Sequence, residues 1–258
     1  MKYCLNNRQS PKYLELADEI KAEYRDYKSF PDLIEKYPNK TIICQIYSYV
    51  DEIDWKALVE ASILAKGNFI CCVGSYRMIM ECIARELKFY YGFPITTFWE
   101  LESLRDLGVE YVRLGAPLFF QMDKVKQYGV PVRAVPNIAY LADLPHADGV
   151  CGTWIRPEDI PLYEDYIDAI EFEDCDNKKE AALWRVYSQT HLWPGFLNDL
   201  ITNFNFEADN TCVHPTLGKH RLNCRQQCKE TPGVCRLCHN TMSLANVQTI
   251  KKIEANLE

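Results

Sequence analysis

The sequence predicts an α/β fold of the (β/α)8, TIM-type barrel class with a C-terminal cysteine-rich metal-binding extension. Three observations predict it. Short β-branched or apolar runs alternate with segments of helical spacing through most of the first two hundred residues. A Gly-Val pair recurs at Gly108-Val109, Gly129-Val130 and Gly149-Val150, at intervals of 21 and 20 residues, the period of compact strand–helix units with glycine at each helix-to-strand turn. No glycine-rich phosphate loop or dinucleotide fingerprint follows an early strand, which favours a barrel over a doubly wound sheet. The expected domains are the barrel over residues 1–203 and a Cys/His-rich tail with a terminal helix over 204–258.

In order, residues 2–6 read as a short strand, and Ser10-Pro11 opens a helix whose apolar face is Leu14, Ala17, Ile20, Tyr24 and Tyr27. The β-branched run 41–47 has the composition of a buried strand. Asp54 caps the next helix and Gly67 ends it. Residues 68–73 are a strand, and Ile79, Cys82, Ile83, Leu87 and Tyr90 form one side of the helix that Gly92 and Pro94 stop. Residues 94–98 are strand-like, and Thr97 with Glu100 makes a capping box. Further strands are expected at 110–115, 131–135, 149–155 and 169–173, which brings the count to eight. Pro117 and Pro157 stand at first helical turns, and a long helical stretch from Asn177 is interrupted at Pro194-Gly195.

With 258 residues, 48% hydrophobic and 12% aromatic, the chain has ample material for a packed core, and disorder is excluded as its general state. No apolar run reaches the ~18 residues of a membrane span, and residues 1–10 lack the apolar centre of a secretory signal. Twelve cysteines without an export signal point to a reducing, cytoplasmic setting, where thiols stay free or bind metal. The net charge of −7 is uneven. From Thr211 to His239 five basic residues (Lys219, Arg221, Arg225, Lys229, Arg236) face one acid, Glu230, a local +4 that leaves −11 for the remainder. Such a knob suits a polyanion, or offsets thiolates around a metal.

In a barrel the site forms at the C-terminal ends of the strands. There the sequence offers Gln45, Tyr47, Cys72, Ser75, Thr96 and Thr97, then Arg113, Arg133, Asn137, Thr153 and Arg156, and finally Glu171 and Glu173. Three arginines exceed what two acids neutralise, so Arg113, Arg133, Asn137 and Arg156 are expected to bind an anionic substrate, with Glu171 and Arg133 as the catalytic pair. A structural Arg–Glu network is the alternative. A nucleophilic Cys72 or Cys175 is disfavoured, because the only histidines outside the tail, His146 and His191, lie away from strand ends. Cys44, Cys71, Cys82 and Cys151 sit in apolar runs and read as core.

The tail carries the strongest motif, Cys224-x3-Cys228-x6-Cys235-x2-Cys238, with Pro232-Gly233 turning between the pairs. Four thiolates that close together surround one zinc ion or one iron–sulfur cluster, and Cys212, His214 and His239 are alternative ligands. The Cys235-x2-Cys238-His239 run also spells a haem-attachment signature, which the absence of an export signal disfavours.

Residues 152–160 (Gly-Thr-Trp-Ile-Arg-Pro-Glu-Asp-Ile), the strand Ile170-Glu171-Phe172-Glu173 and Cys228-x4-Gly233-x-Cys235 resemble motifs of the collagenase-like peptidase family (peptidase family U thirty-two), which includes tRNA- and ubiquinone-hydroxylation proteins. The resemblance covers about residues 108–240. It implies a TIM-type barrel with a [4Fe–4S] cluster, hence an iron–sulfur-dependent hydroxylase or modification enzyme acting on an anionic small molecule or RNA. The rival expectation is a non-enzymatic module whose basic zinc knuckle contacts nucleic acid or a protein partner.

The cysteine spacing generates a prediction. Cys228→Ser or Cys235→Ser should release the metal and leave the tail protease-sensitive while the barrel stays folded, because a thiolate site and its loop form together. Elemental analysis of the anaerobically purified variants measures this, and metal content equal to wild type would remove the assignment.

Overall fold

The computed structural model describes residues 1–50, 52–138, 152–202, 206–222 and 248–249. Its frame is a run of parallel strands: β1 (Lys2–Asn6), β2 (Glu19–Glu23), β3 (Thr41–Ile46), β4 (Phe69–Val73), β5 (Lys88–Tyr91), β6 (Pro94–Ile95), β7 (Arg113–Leu114), β8 (Arg133–Ala134) and β9 (Ala169–Glu171). Seven of these pair in the order β5-β4-β3-β2-β1-β9-β8, and β6 pairs with β7. Backbone bonds tie the two edges. Glu110 N–H donates to the Phe89 carbonyl at 2.9 Å, and Val112 pairs in parallel with Val132. The sheet therefore curls until its ends meet, giving a TIM-barrel-like α/β fold.

Helices cover the outside. Asp54 caps α1 (Trp55–Leu64) by accepting from Ala57 N–H at 3.0 Å, and Ser75 caps α2 (Tyr76–Ala84). Thr97 and Glu100 form the expected capping box of α3 (Phe98–Asp106). Gly108 and Gly129 adopt φ of +79° and +67°, so the recurring Gly-Val pair does mark left-handed turns into the next strand. Gly149 lies outside the described residues. Among them no helix is long and apolar enough to cross a membrane.

The strand set departs from the expectation in three places. Residues 19–23 were expected to continue the first helix, but that helix, Pro11–Leu16, stops at Ala17, whose ψ of 152° is extended. Glu19-Ile20-Lys21-Ala22-Glu23 then alternates: Ile20 and Ala22 bury against helices while Glu19 and Lys21 face inward. The expected helical face reaching Tyr90 is likewise cut at Ala84, and positive φ at Glu86 turns the chain into β5. Residues 152–155, the described part of an expected strand, form none. Ile155 N–H instead donates to the Pro136 carbonyl at 3.1 Å.

The helical stretch from Asn177 begins as expected but ends before Pro194: α4 (Asn177–Arg185) runs into a π-helical turn, Val186–Thr190, and His191 ends it with φ of 48°. Beyond residue 203 the described chain stays docked. Phe206–Glu207 pairs antiparallel with Gln248–Thr249, and Leu197 N–H reaches the Ala208 carbonyl at 2.8 Å. In α5 (Leu217–Leu222), Gly218 lies so close to Asp159 that a Cβ would come within 2.5 Å of it.

Inside the sheet the filling is ionic. Glu19, Lys21, Arg113, Arg133 and Glu171 are buried together with Tyr90 and Tyr111. Arg133 pairs with Glu19 and Glu171, and its guanidinium lies 4.4 Å from the Tyr111 ring centroid and 4.9 Å from that of Tyr90. Removing one partner of such a set leaves bare buried charge. Arg133→Ala, which strands Glu19 and part of Glu171, should lower unfolding free energy by about 3–5 kcal/mol, read from denaturant titration. A loss below about 1 kcal/mol would mean that the cluster is not holding the fold.

Candidate functional site

At the C-terminal ends of β1, β2, β3 and β9 the sheet opens into a cleft of about 720 Å³. Its lining comes from Asn6, Arg8, Lys21, Glu23, Gln45 and Tyr47 on one side and from Phe172 to Lys178 with Glu180 on the other. Alternation along the strands builds it in layers. Residues two apart share a face, so Lys21 and Glu23 stack above Glu19, and Glu173 stacks above Glu171.

The floor is the ion cluster. Glu171 is fully buried; its Oε1 accepts from Arg113 Nε at 2.8 Å, and its Oε2 lies 3.4 Å from both Lys21 Nζ and the Tyr90 hydroxyl. Burial alone would raise its carboxyl, yet Arg113, Lys21 and Arg133 outweigh it and hold the pKa down to about 2, against an ordinary 4.5. Lys21 is pulled the other way by Glu171 and Glu173, which overcome its desolvation and keep it an ammonium. It bridges floor and cleft, at 3.8 Å from Glu173 Oε1. Arg113 Nη2 donates to the same Glu173 oxygen at 2.7 Å.

Asn137 clamps the Glu173 backbone from both sides: its Nδ2 donates to the Glu173 carbonyl at 2.7 Å, and Glu173 N–H donates to its Oδ1 at 3.2 Å. On the opposite wall Glu180 is buried, 3% exposed, and receives Asn6 N–H at 2.9 Å and Gln9 Nε2 at 2.6 Å. Desolvation raises its pKa despite those donors and Lys21. Two carboxyls of one site are thus driven in opposite directions, the pattern that separates proton donor from fixed charge.

Of the residues singled out from sequence, Arg113, Arg133 and Glu171 come together, but beneath the cleft rather than on its wall. Asn137 supports the wall through its backbone bonds. Arg156 stands apart, forked onto Asp159 by bonds of 2.7 and 2.9 Å. Cys72 is buried, and burial raises its thiol. Cys175 lines the cleft, but burial and Glu180 push its thiol up to about 12, so it is not a thiolate at neutral pH. Cys224, Cys228, Cys235, Cys238 and His239 lie outside the described residues, and no group of three metal-ligating side chains occurs among the described ones. His214 Nδ1 is 2.8 Å from Thr216 Oγ1.

Lys21 and Glu180 are absent from the sequence-derived site. The signal for Lys21 was the period-2 alternation of residues 19–23. Nothing in the sequence singled out Glu180, whose role arises from how its helix leans on the end of β1.

No family model and no curated protein matches this chain. Among solved structures it is similar to 3-keto-L-gulonate-6-phosphate decarboxylase from Vibrio cholerae O1 biovar El Tor str. N16961, over 75% of this chain and 100% of that one, with 13% identity and a TM-score of 0.43. At that level of likeness neither substrate nor catalytic groups transfer from the decarboxylase.

The depressed Glu171 couples stability to pH. A carboxyl whose folded pKa lies below its unfolded value stabilises the fold above the unfolded value, and that contribution fades as pH falls. Unfolding free energy should therefore drop between pH 4.5 and about 2, the window set by Glu171. In Glu171→Gln that part of the slope should vanish, whatever the variant's overall stability. Chemical denaturation at stepped pH measures both, and an unchanged slope would show that Glu171 is not the coupled group.

Proposed function

We propose that this chain is a TIM-barrel-type enzyme that moves a proton on a small polar substrate in the cleft above Lys21. The observation that carries the reading is the pairing, in one cleft, of a carboxyl with raised pKa, Glu180, and a buried ammonium, Lys21, between which a reacting group has room to sit. Glu180 is the proton donor. Its desolvated carboxyl holds a proton closer to neutral pH than an exposed one would. Glu173, ion-paired with Arg113 and Lys21, is the acceptor. Arg113, Arg133 and Glu171 position these two from below, and Asn137 fixes the Glu173 backbone.

The lining also bears on the substrate. The cations Arg8, Lys21 and Lys178 support one anionic group, while Glu23, Asp174 and the amides of Asn6 and Gln45 suit hydroxyl or amino groups. A multiply charged anion such as RNA fits less well, because five carboxylates share the lining with those three cations. The metal reading of Cys224, Cys228, Cys235 and Cys238, with zinc or a [4Fe–4S] cluster, remains a separate proposal that rests on their spacing.

Hydrogen exchange tests the acid–base assignment. A panel of hydroxy acids, keto acids and sugar acids is incubated with the protein in D2O, and deuterium uptake at carbon is followed by NMR. Wild type should exchange at least one of them, and Glu180→Gln, which cannot give up a proton, should slow that exchange by about 10²- to 10⁴-fold. Retention of exchange in Glu180→Gln, or none in wild type with a panel member that binds, would overturn the reading.

A further inference from the structure

We propose that the ligand of this cleft carries a sugar-like, hydroxylated ring, one face of which packs on the paired tyrosines at the rim. This deepens the preceding reading and rests on it for the location of the site.

The rim is formed by Tyr47 and Tyr49, just past the C-terminal end of β3. Ser48 and Tyr49 form a turn, closed by Val50 N–H on the Tyr47 carbonyl at 3.1 Å, that carries the two rings alongside each other. Their rings stack at 5.3 Å between centroids and 7° between planes. Tyr47 lines the cleft, and Tyr49 stands 75% exposed beside it. A large aromatic ring held parallel to its neighbour yet left open to water is a preformed platform. It offers a flat apolar face at no further ordering cost.

Three kinds of ligand use such a platform: a nucleobase, an organic cation and a pyranose ring. The charges decide between them. Glu23 already engages Arg8 at 3.3 Å and Arg25 at 2.6 Å. Glu173 engages Arg113 and Lys21, and Asp176 receives Lys179 N–H at 2.8 Å. A polycation would have to break these pairs to gain its own, and a nucleotide's phosphates would face the same carboxylates. Hydroxyl groups need break nothing. Each donates to a lone pair left over on a paired carboxylate and accepts from Gln45, Asn6 or Lys21, while the C–H face of the ring covers the tyrosines.

Saturation-transfer NMR and calorimetry with the intact chain test this, using glucose, galactose, mannose, glucuronate and galacturonate as probes, with adenosine and spermidine as competitors. At least one pyranose should bind with saturation concentrated on the protons of one ring face. Tyr49→Ala should weaken it about 5- to 20-fold, whereas Tyr49→Phe, which keeps the ring, should stay within about 2-fold. Thermal melts check that both variants are folded. The proposal is overturned if no pyranose in the panel binds, if Tyr49→Ala binds as wild type does, or if adenosine or spermidine binds more tightly than every sugar. A sugar that binds on the tyrosines without deuterium exchange would remove the proton-transfer reading and keep this one. Exchange of a panel acid that Tyr49→Ala leaves untouched would do the reverse.

Discussion

The interaction on which the rest depends is the ion cluster inside the curled sheet. Barrel interiors are commonly filled by layers of branched apolar side chains, which pack whatever their partners. Here Glu19 and Lys21 of β2, Tyr90 of β5, Arg113 of β7, Arg133 of β8 and Glu171 of β9 fill that space, and each ion is buried at a cost of several kcal/mol unless paired. Three cations meet three carboxylates, counting Glu173, so the set closes in charge. It closes only in one register. A slip of one residue in β2 would turn Glu19 and Lys21 outward against the helices and bring Ile20 and Ala22 in, stranding both arginines. An apolar interior would tolerate such a slip far better, so the cluster specifies register as well as filling space.

That constraint reaches the cleft because the layers share side chains. Lys21 touches Glu171 below and Glu173 above, and Arg113 does the same through two of its nitrogens. The two wall carboxyls are therefore held by different means. Glu173 is tied into the charge network by Arg113 and Lys21. Glu180 is tied by neutral N–H donors, which cannot offset its desolvation as ammonium and guanidinium groups do, and its pKa moves up. The difference between the two follows from which groups each carboxyl leans on: cations for Glu173, mainly neutral N–H donors for Glu180.

How much of this was legible in the sequence can be followed residue by residue. Caps and turns were legible, because Asp54, Thr97 with Glu100, and the positive-φ glycines act through their immediate neighbours. The strand set was less so: β2 and β5 were missed, and 149–155, whose described part forms no strand, was counted. The loss of β2 has one physical source. Leu14, Ala17, Ile20 and Tyr24 recur at helical spacing, but Leu14 lies on a helix, Ala17 on the turn after it, Ile20 on β2 and Tyr24 on the 3-10 helix that follows, so a single apolar stripe spans several elements. With β2 unread, Glu19 and Lys21 were invisible. Arg113, Arg133 and Arg156 then counted as a surplus of positive charge. Restoring β2 adds one acid and one base to the interior, and Asp159 accounts for Arg156. The surplus disappears.

The same reasoning applies to the charge of the C-terminal segment. Arg221 belongs to the five basic residues that give that stretch its local +4, yet it is 1% exposed. Its guanidinium lies 3.9 Å from the Trp154 ring centroid, donates to the carbonyls of Trp154 and Gly152, and faces Phe119 and Phe120. A cation held between aromatic faces and backbone oxygens is removed from any polyanion outside, so Arg221 works as a bolt and not as part of a binding patch. Gly218, one turn earlier, gives the helix the clearance against Asp159 that the bolt requires. Phe119 and Trp154 lie past the C-terminal ends of β7 and β8, so the bolt brings α5 back to the face of the sheet on which the cleft opens.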